Sequence, residues 1–288
     1  MAQSRPEAFL VARRRSCAVL SVGMATPDFL ATIRDESTRF RDVLTGADPD
    51  TAVPTCPDWT ADDLLWHLTE VQWFWGTIVS QNVADPESLE HPERPDGHDA
   101  LLRAFDDAQR ELTAALRDTA SDETRWMWTA DAALHTAGYI ARRQAHEALI
   151  HRVDAELTSG ATVSGIDPTL AADGVDEIVA VMYGREHPLL TFAAAAGSVI
   201  ELVATDAGRR WMLQLGRETA TLPESGERID DPNFRPAPDA IPAATISGTA
   251  ADLDLWLWNR PTAGTLARSG DAQALAAMDD VLLREGVK

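Results

Sequence analysis

The chain has 288 residues, 45% of them hydrophobic; that is enough to bury one large or two ordinary cores and too apolar for wholesale disorder. Lys and Arg number 25 against 46 Asp and Glu, a net charge of -21, which repels phosphate backbones and anionic lipid and argues against nucleic acid or a membrane surface as partner. Two cysteines, Cys17 and Cys56, are too few for a secreted disulfide framework and fit no zinc knuckle, so a reduced, cytoplasmic setting is expected.

No apolar run reaches the length of a membrane-spanning helix, about 18 residues. Residues 1–23 read as a loosely ordered leader. Arg13-Arg14-Arg15 precedes a short apolar stretch without a cleavage site, and Met24 offers an alternative start. Ile33, Phe40, Val43 and Leu44 recur at helical spacing and predict a first helix over 28–45. Residues 46–59 are broken by Gly46, Pro49, Pro54 and Pro57, which puts Cys56 in a turn as an incidental buried thiol. Thr60 is a good N-cap for a second helix running to about Gln81, with Asp62 and Asp63 at its positive end. Leu64, Leu68, Val71 and Trp75 form its apolar stripe.

A proline-containing loop leads to a third helix at 98–117, with Leu101, Leu102, Phe105, Leu112 and Leu116 inward. A loop carrying Trp126 and Trp128 precedes a fourth helix at 135–158, which ends before Gly160. Four long amphipathic helices predict a helix bundle. Beyond Gly160 the pattern changes. Asp167-Pro168 starts a helix that runs to about Met182. Residues 198–205 and 210–215 alternate about an Asp-Ala-Gly turn and predict a hairpin. The proline-rich stretch 223–242 reads as loop, 244–247 as strand, and 250–259 and 271–283 as helices. The expected fold is mainly α with an α+β second domain: a leader at 1–23, a helical bundle at 24–160 and an α+β domain at 161–288.

Glu147 and His151 are four residues apart, so on a helix they share a face and can converge on one ion about 2 Å from each. His146 and His151, five apart, splay around the helix, which rules out the HExxH arrangement. Further ligands must come from a facing helix, and His67 lies on the apolar face of the second helix. Two His and one carboxylate leave one tetrahedral zinc position open, which is the pattern of a catalytic site. Spacing alone leaves other readings open. His67 also fits a satisfied core histidine, and Gln144, Glu147, His151 and Asp154 form a polar stripe that normally faces solvent.

Three blocks carry a resemblance. Val53-Pro54-Thr55-Cys56-Pro57-Asp58-Trp59-Thr60, with Asp63-Leu64 and His67-Leu68, is the first. Ala141-Arg142-Arg143-Gln144-Ala145-His146-Glu147 through His151-Arg152-Val153-Asp154-Ala155-Glu156 is the second. Ile246-Ser247-Gly248-Thr249-Ala250, Leu255-Trp256-Leu257-Trp258-Asn259-Arg260 and Gly270-Asp271 make the third. Together they resemble the mycothiol-dependent maleylpyruvate isomerase family, within the DinB-like superfamily. Asn259 stands where a Gly is expected before the Arg, and the 223–242 stretch is long.

The resemblance implies a DinB-like four-helix bundle followed by a small sterol-carrier-like α+β domain. It implies His67, Glu147 and His151 as ligands of Zn2+ or another divalent metal, and Arg260 as a catalytic arginine, a fork suited to a carboxylate. It implies mycothiol as co-substrate. A thiol with an ordinary pKa near 8.5 ionises more readily at the metal and then attacks a small electrophile, giving isomerisation or S-transfer. The partners implied are thus a small thiol and a small organic electrophile. Two other readings remain: a zinc-dependent hydrolase or lyase using metal-bound water, and a non-catalytic ligand-binding module.

Overall fold

The computed structural model describes residues 26–185, 189–221, 226 and 228–283; the leader read at 1–23 lies outside them. Four long helices come first: α1 (Phe29–Thr45), α2 (Ala61–Gln81), α3 (His98–Asp118) and α4 (Ala137–Thr158). Their starts are set by side chains that take up exposed backbone N–H groups. Asp28 caps α1 and Thr136 caps α4, while Thr60 and Asp63 cap each other's backbone at the start of α2. This capping box fixes where α2 begins, and so where His67 lies two turns later.

Between α1 and α2 the chain forms a small hairpin, β1 (Ala52–Val53) with β2 (Cys56–Thr60). Cys56 is therefore a buried strand residue, where the prolines had suggested only a turn. The hairpin lets Thr55 and Trp59 reach the C-terminal half of α4. Helices α2 and α3 touch closely because Gly76 has no side chain. A Cβ there would come 3.2 Å from the Leu112 backbone.

Beyond residue 160 follow α5 (Pro168–Glu177), a π-helical turn (Ile178–Tyr183), and strands β3 (Thr191–Ala204) and β4 (Arg209–Thr221). Then come β5 (Arg228–Pro236), β6 (Ala244–Gly248), α6 (Ala250–Leu257), β7 (Ala267–Gly270) and α7 (Ala272–Leu282). The sheet order is β5-β4-β3-β6-β7, with β3 and β6 parallel and the other pairs antiparallel. The β3–β4 hairpin is longer than its alternating segment because β3 begins with a mostly exposed run, Thr191 to Gly197, that lacks alternation. Strand β5 corrects the reading of 223–242 as loop. Among the described residues it pairs with β4 alone, and such an edge tolerates Pro232 and Pro236.

The central element is α4, most of whose 22 residues are buried. Its Tyr139, Ile140 and Ala145 join the core of the helical part, while Ile150 and Val153 join the core under the sheet. A helix covered on both sides has no outward stripe. Gln144, His151 and Asp154 are accordingly buried, where their periodicity suggested a solvent face.

Candidate metal centre

His67, on α2, points at α4. Its Nε2 lies 3.4 Å from Glu147 Oε1, and His151 Nε2 lies 3.2 Å from the same oxygen. Among the described residues, these three side chains form a group whose ligand atoms all fall within 4.8 Å of one another. Donors at 2.0–2.1 Å from a tetrahedral ion stand about 3.3 Å apart, so the separations from Glu147 to both imidazoles fit a zinc-sized cation. The donor chemistry fits as well: two imidazoles and one carboxylate, a set that leaves a tetrahedral ion one further coordination position.

The surroundings fix the donors. His151 Nδ1 donates to Asp154 Oδ2 at 2.9 Å, which leaves Nε2 to face Glu147. A carboxylate behind a ligating histidine sets the ring's tautomer and angle. Trp59 packs against His67 with ring centroids 4.7 Å apart. Arg143, one turn before Glu147, donates from Nη2 to Glu147 Oε2 and from Nη1 to Glu177 Oε2 at the end of α5. Glu147 therefore meets an arginine with one oxygen and the imidazoles with the other.

Arg260 comes from the turn after α6. Asn259 adopts φ 58°, a left-handed conformation that Gly or Asn tolerates. The departure from an expected glycine thus leaves the turn intact, and Asn259 Nδ2 also bonds Leu282 O at 2.8 Å. The turn delivers Arg260 to Asp154: Nε donates to Oδ1 at 3.0 Å and Nη2 to Oδ2 at 2.8 Å. Nη1 donates to Trp258 O at 2.7 Å. Thr55 Oγ1 adds a fourth bond to the Asp154 carboxylate, at 2.6 Å.

These contacts shift the site's acids and bases. Burial raises the Glu147 carboxyl, but Arg143 and the two imidazoles hold it well below the usual range. Burial works against the His151 imidazolium, yet hydrogen bonds to Asp154 and Glu147 push its pKa up to about 9. Asp154 stays ionised despite burial because His151 and Arg260 both bond it.

All four residues expected to act together, His67, Glu147, His151 and Arg260, thus converge, the last one through Asp154. His146 turns away and bonds Asp173 Oδ2 at 2.8 Å. Sequence reading gave no role to Asp154, Arg143 or Glu177. The first two carry a local signal, since they stand three residues after His151 and four before Glu147 on the same helix. Glu177 has none, because its partner lies 34 residues away.

Residues 30–156 match the family profile described as "Mycothiol maleylpyruvate isomerase N-terminal domain", and residues 169–277 match the "MDMPI C-terminal domain". The chain belongs to the mycothiol-dependent maleylpyruvate isomerase family. Two solved structures share its fold: the mycothiol-dependent maleylpyruvate isomerase and a histidine-to-alanine mutant of it. Each is 15% identical, with a TM-score of 0.53, over 86% of this chain and 95% of that one. At that identity the likeness is one of fold. No curated protein matches the chain in sequence. Among the described residues, no helix is long and apolar enough to cross a membrane.

Proposed function

We propose that the chain is a metal-dependent, mycothiol-using isomerase acting on a small unsaturated carboxylate of the maleylpyruvate kind, with S-transfer as the variant in which the adduct is kept. The observation that carries this reading is the convergence of His67, Glu147 and His151 within 4.8 Å in a chain of this family. In this reading 24–160 is a DinB-like bundle that supplies the three ligands, and 161–288 is a sterol-carrier-like domain that supplies Arg260.

A divalent ion held by these three side chains supplies a Lewis acid with an open position, which favours ionisation of a small thiol. Asp154 keeps His151 in the tautomer that presents Nε2. Arg260 uses three of its five N–H donors on Asp154 and Trp258 O, and two remain for an anionic oxygen of the substrate. Arg143, Glu147, Ile150, His151, Trp258 and Arg260 line one small cavity of about 10 Å³. An anionic oxygen bound by Arg260 at this cavity would lie beside the donors.

The reaction is an addition followed by an elimination. The thiolate sulfur bonds one alkene carbon while the alkene pair moves into the conjugated carbonyl. The former double bond then turns, and the pair returns as the carbon–sulfur bond breaks. The products are the trans alkene and the unchanged thiolate. No side-chain nucleophile is needed.

The test is the rate of maleylpyruvate conversion by zinc-loaded protein with and without mycothiol. The reading expects conversion only with thiol, lost in His67→Ala. Substrate consumption without thiol would favour a hydrolase or lyase using water, and no thiol-dependent turnover of this or related electrophiles would overturn the isomerase reading.

A further inference from the structure

Two arms from beyond residue 160 reach the donor cluster on α4. One is Arg260 on Asp154. The other begins at Glu177, the last residue of α5, whose Oε2 accepts from Arg143 Nη1. Arg143 Nη2 then donates to Glu147 Oε2. Both Arg143 and Glu177 are buried. The guanidinium also lies 5.5 Å from the centre of the Trp258 ring, so the second half of the chain confines it at one edge and one face.

We propose that Arg143 and Glu177 are positioning residues that hold Glu147 as a one-oxygen metal ligand, which makes the docked interface between α4 and α5 a part of the metal centre. This rests on the metal reading above. A free carboxylate can grip a cation with both oxygens and fill the position a thiol needs. Arg143 occupies Oε2, so that Oε1 alone faces His67 and His151. The arginine also draws charge from the carboxylate, which leaves a bound ion the stronger Lewis acid. Arg143 cannot be fixed by Glu147 alone, because a buried guanidinium needs its other donors met. Glu177 meets one of them and sets the angle of the fork.

One turn earlier on α5, Asp173 offers an internal comparison. It accepts from Arg142 Nε and pairs with His146 Nε2, both at 2.8 Å. It belongs to the same interface but touches neither Glu147 nor Arg143 in any of these bonds.

The test compares wild-type protein with Glu177→Gln, Arg143→Lys and Asp173→Asn. Zinc affinity is read by chelator competition and fold by circular dichroism. We expect Glu177→Gln and Arg143→Lys to bind zinc about 10- to 100-fold more weakly while still taking one ion at saturation. Asp173→Asn should keep wild-type affinity. Cobalt loading gives a readout that loosened packing would not move. The visible band should be intense and four-coordinate in the wild type, and weaker and five-coordinate in Glu177→Gln as Glu147 turns bidentate. Wild-type zinc affinity and cobalt band in Glu177→Gln would overturn the proposal, as would an equal loss in Asp173→Asn. A wild-type protein that binds no zinc would overturn the metal reading itself.

Discussion

Arg260 closes on Asp154 with two prongs, Nε to Oδ1 at 3.0 Å and Nη2 to Oδ2 at 2.8 Å, and the same carboxylate holds His151 Nδ1 at 2.9 Å. One buried anion therefore serves an arginine from the second half of the chain and an imidazole of the donor cluster. Removing it should do two things. Asp154→Ala leaves Arg260 buried without its counter-ion, which should lower stability by about 3–5 kcal/mol. It also frees the His151 ring, which should weaken zinc binding by about 10- to 100-fold. Denaturant unfolding and chelator competition would check both. Loss of stability with unchanged zinc affinity would deny Asp154 its orienting role.

Arg260→Lys separates charge from shape. An ammonium cannot span both oxygens of Asp154 and still offer N–H groups to a substrate carboxylate. The expected result is a loss of about 1–2 kcal/mol in stability, a raised KM for the anionic substrate, and zinc stoichiometry kept at the wild-type level. Steady-state kinetics beside elemental analysis would show the split.

Glu156 anchors the other end of α4. Burial pushes its carboxyl up, but hydrogen bonds from Ser164, Arg39 and Arg152 bring its pKa down from 4.5 to about 2. A depressed carboxylate contributes stability that is complete above its unfolded value and lost as the pH falls through its folded one. That window runs here from 4.5 to about 2. Glu156→Gln should lower stability at neutral pH by about 3 kcal/mol and flatten the acid limb across this window. Unfolding curves from pH 2 to 7 would reveal a limb of unchanged slope if Glu156 were not responsible.

Asp254 has the opposite sign. It is buried against Gly174, where an added Cβ would lie 2.7 Å from Oδ1. Neither of its oxygens has a hydrogen-bond partner among the described residues. Burial, and then the charge of Glu177, raise its pKa well above 3.8. The folded state thus keeps the proton while the unfolded state loses it, so stability falls as the pH rises from 3.8 toward the folded value. Asp254→Asn should match the wild type near pH 4 and exceed it at pH 7 by about 1–2 kcal/mol. Thermal unfolding at the two pH values would test this; a variant that is less stable at pH 7 would contradict it.

Much of this was legible in the chain. Capping residues such as Thr60 and Asp167 mark where α2 and α5 start, and apolar spacing marks α1 to α3. Glu147 and His151 declare a shared face by their separation of four. The environment of that face was not legible. A polar stripe reads as solvated, and it is the docking of the β1–β2 hairpin, α2, α5 and Arg260 onto α4 that buries it. Strand β5 was hidden by Pro232 and Pro236, which a sheet edge permits. Glu177 was invisible because its partners are distant in sequence. Arg143 and Asp154 were visible as neighbours of Glu147 and His151, but their roles depend on what the second half of the chain brings to them.

The central claim is that side chains from α2 and α4 hold one metal ion. The direct measurement is the metal content of protein equilibrated with zinc and freed of excess, in the wild type and in His67→Ala, Glu147→Gln and His151→Ala. The account predicts about one ion per wild-type chain and a clear loss in each variant, all of them folded by circular dichroism. A wild-type chain without metal, or variants that retain a full equivalent, would contradict it.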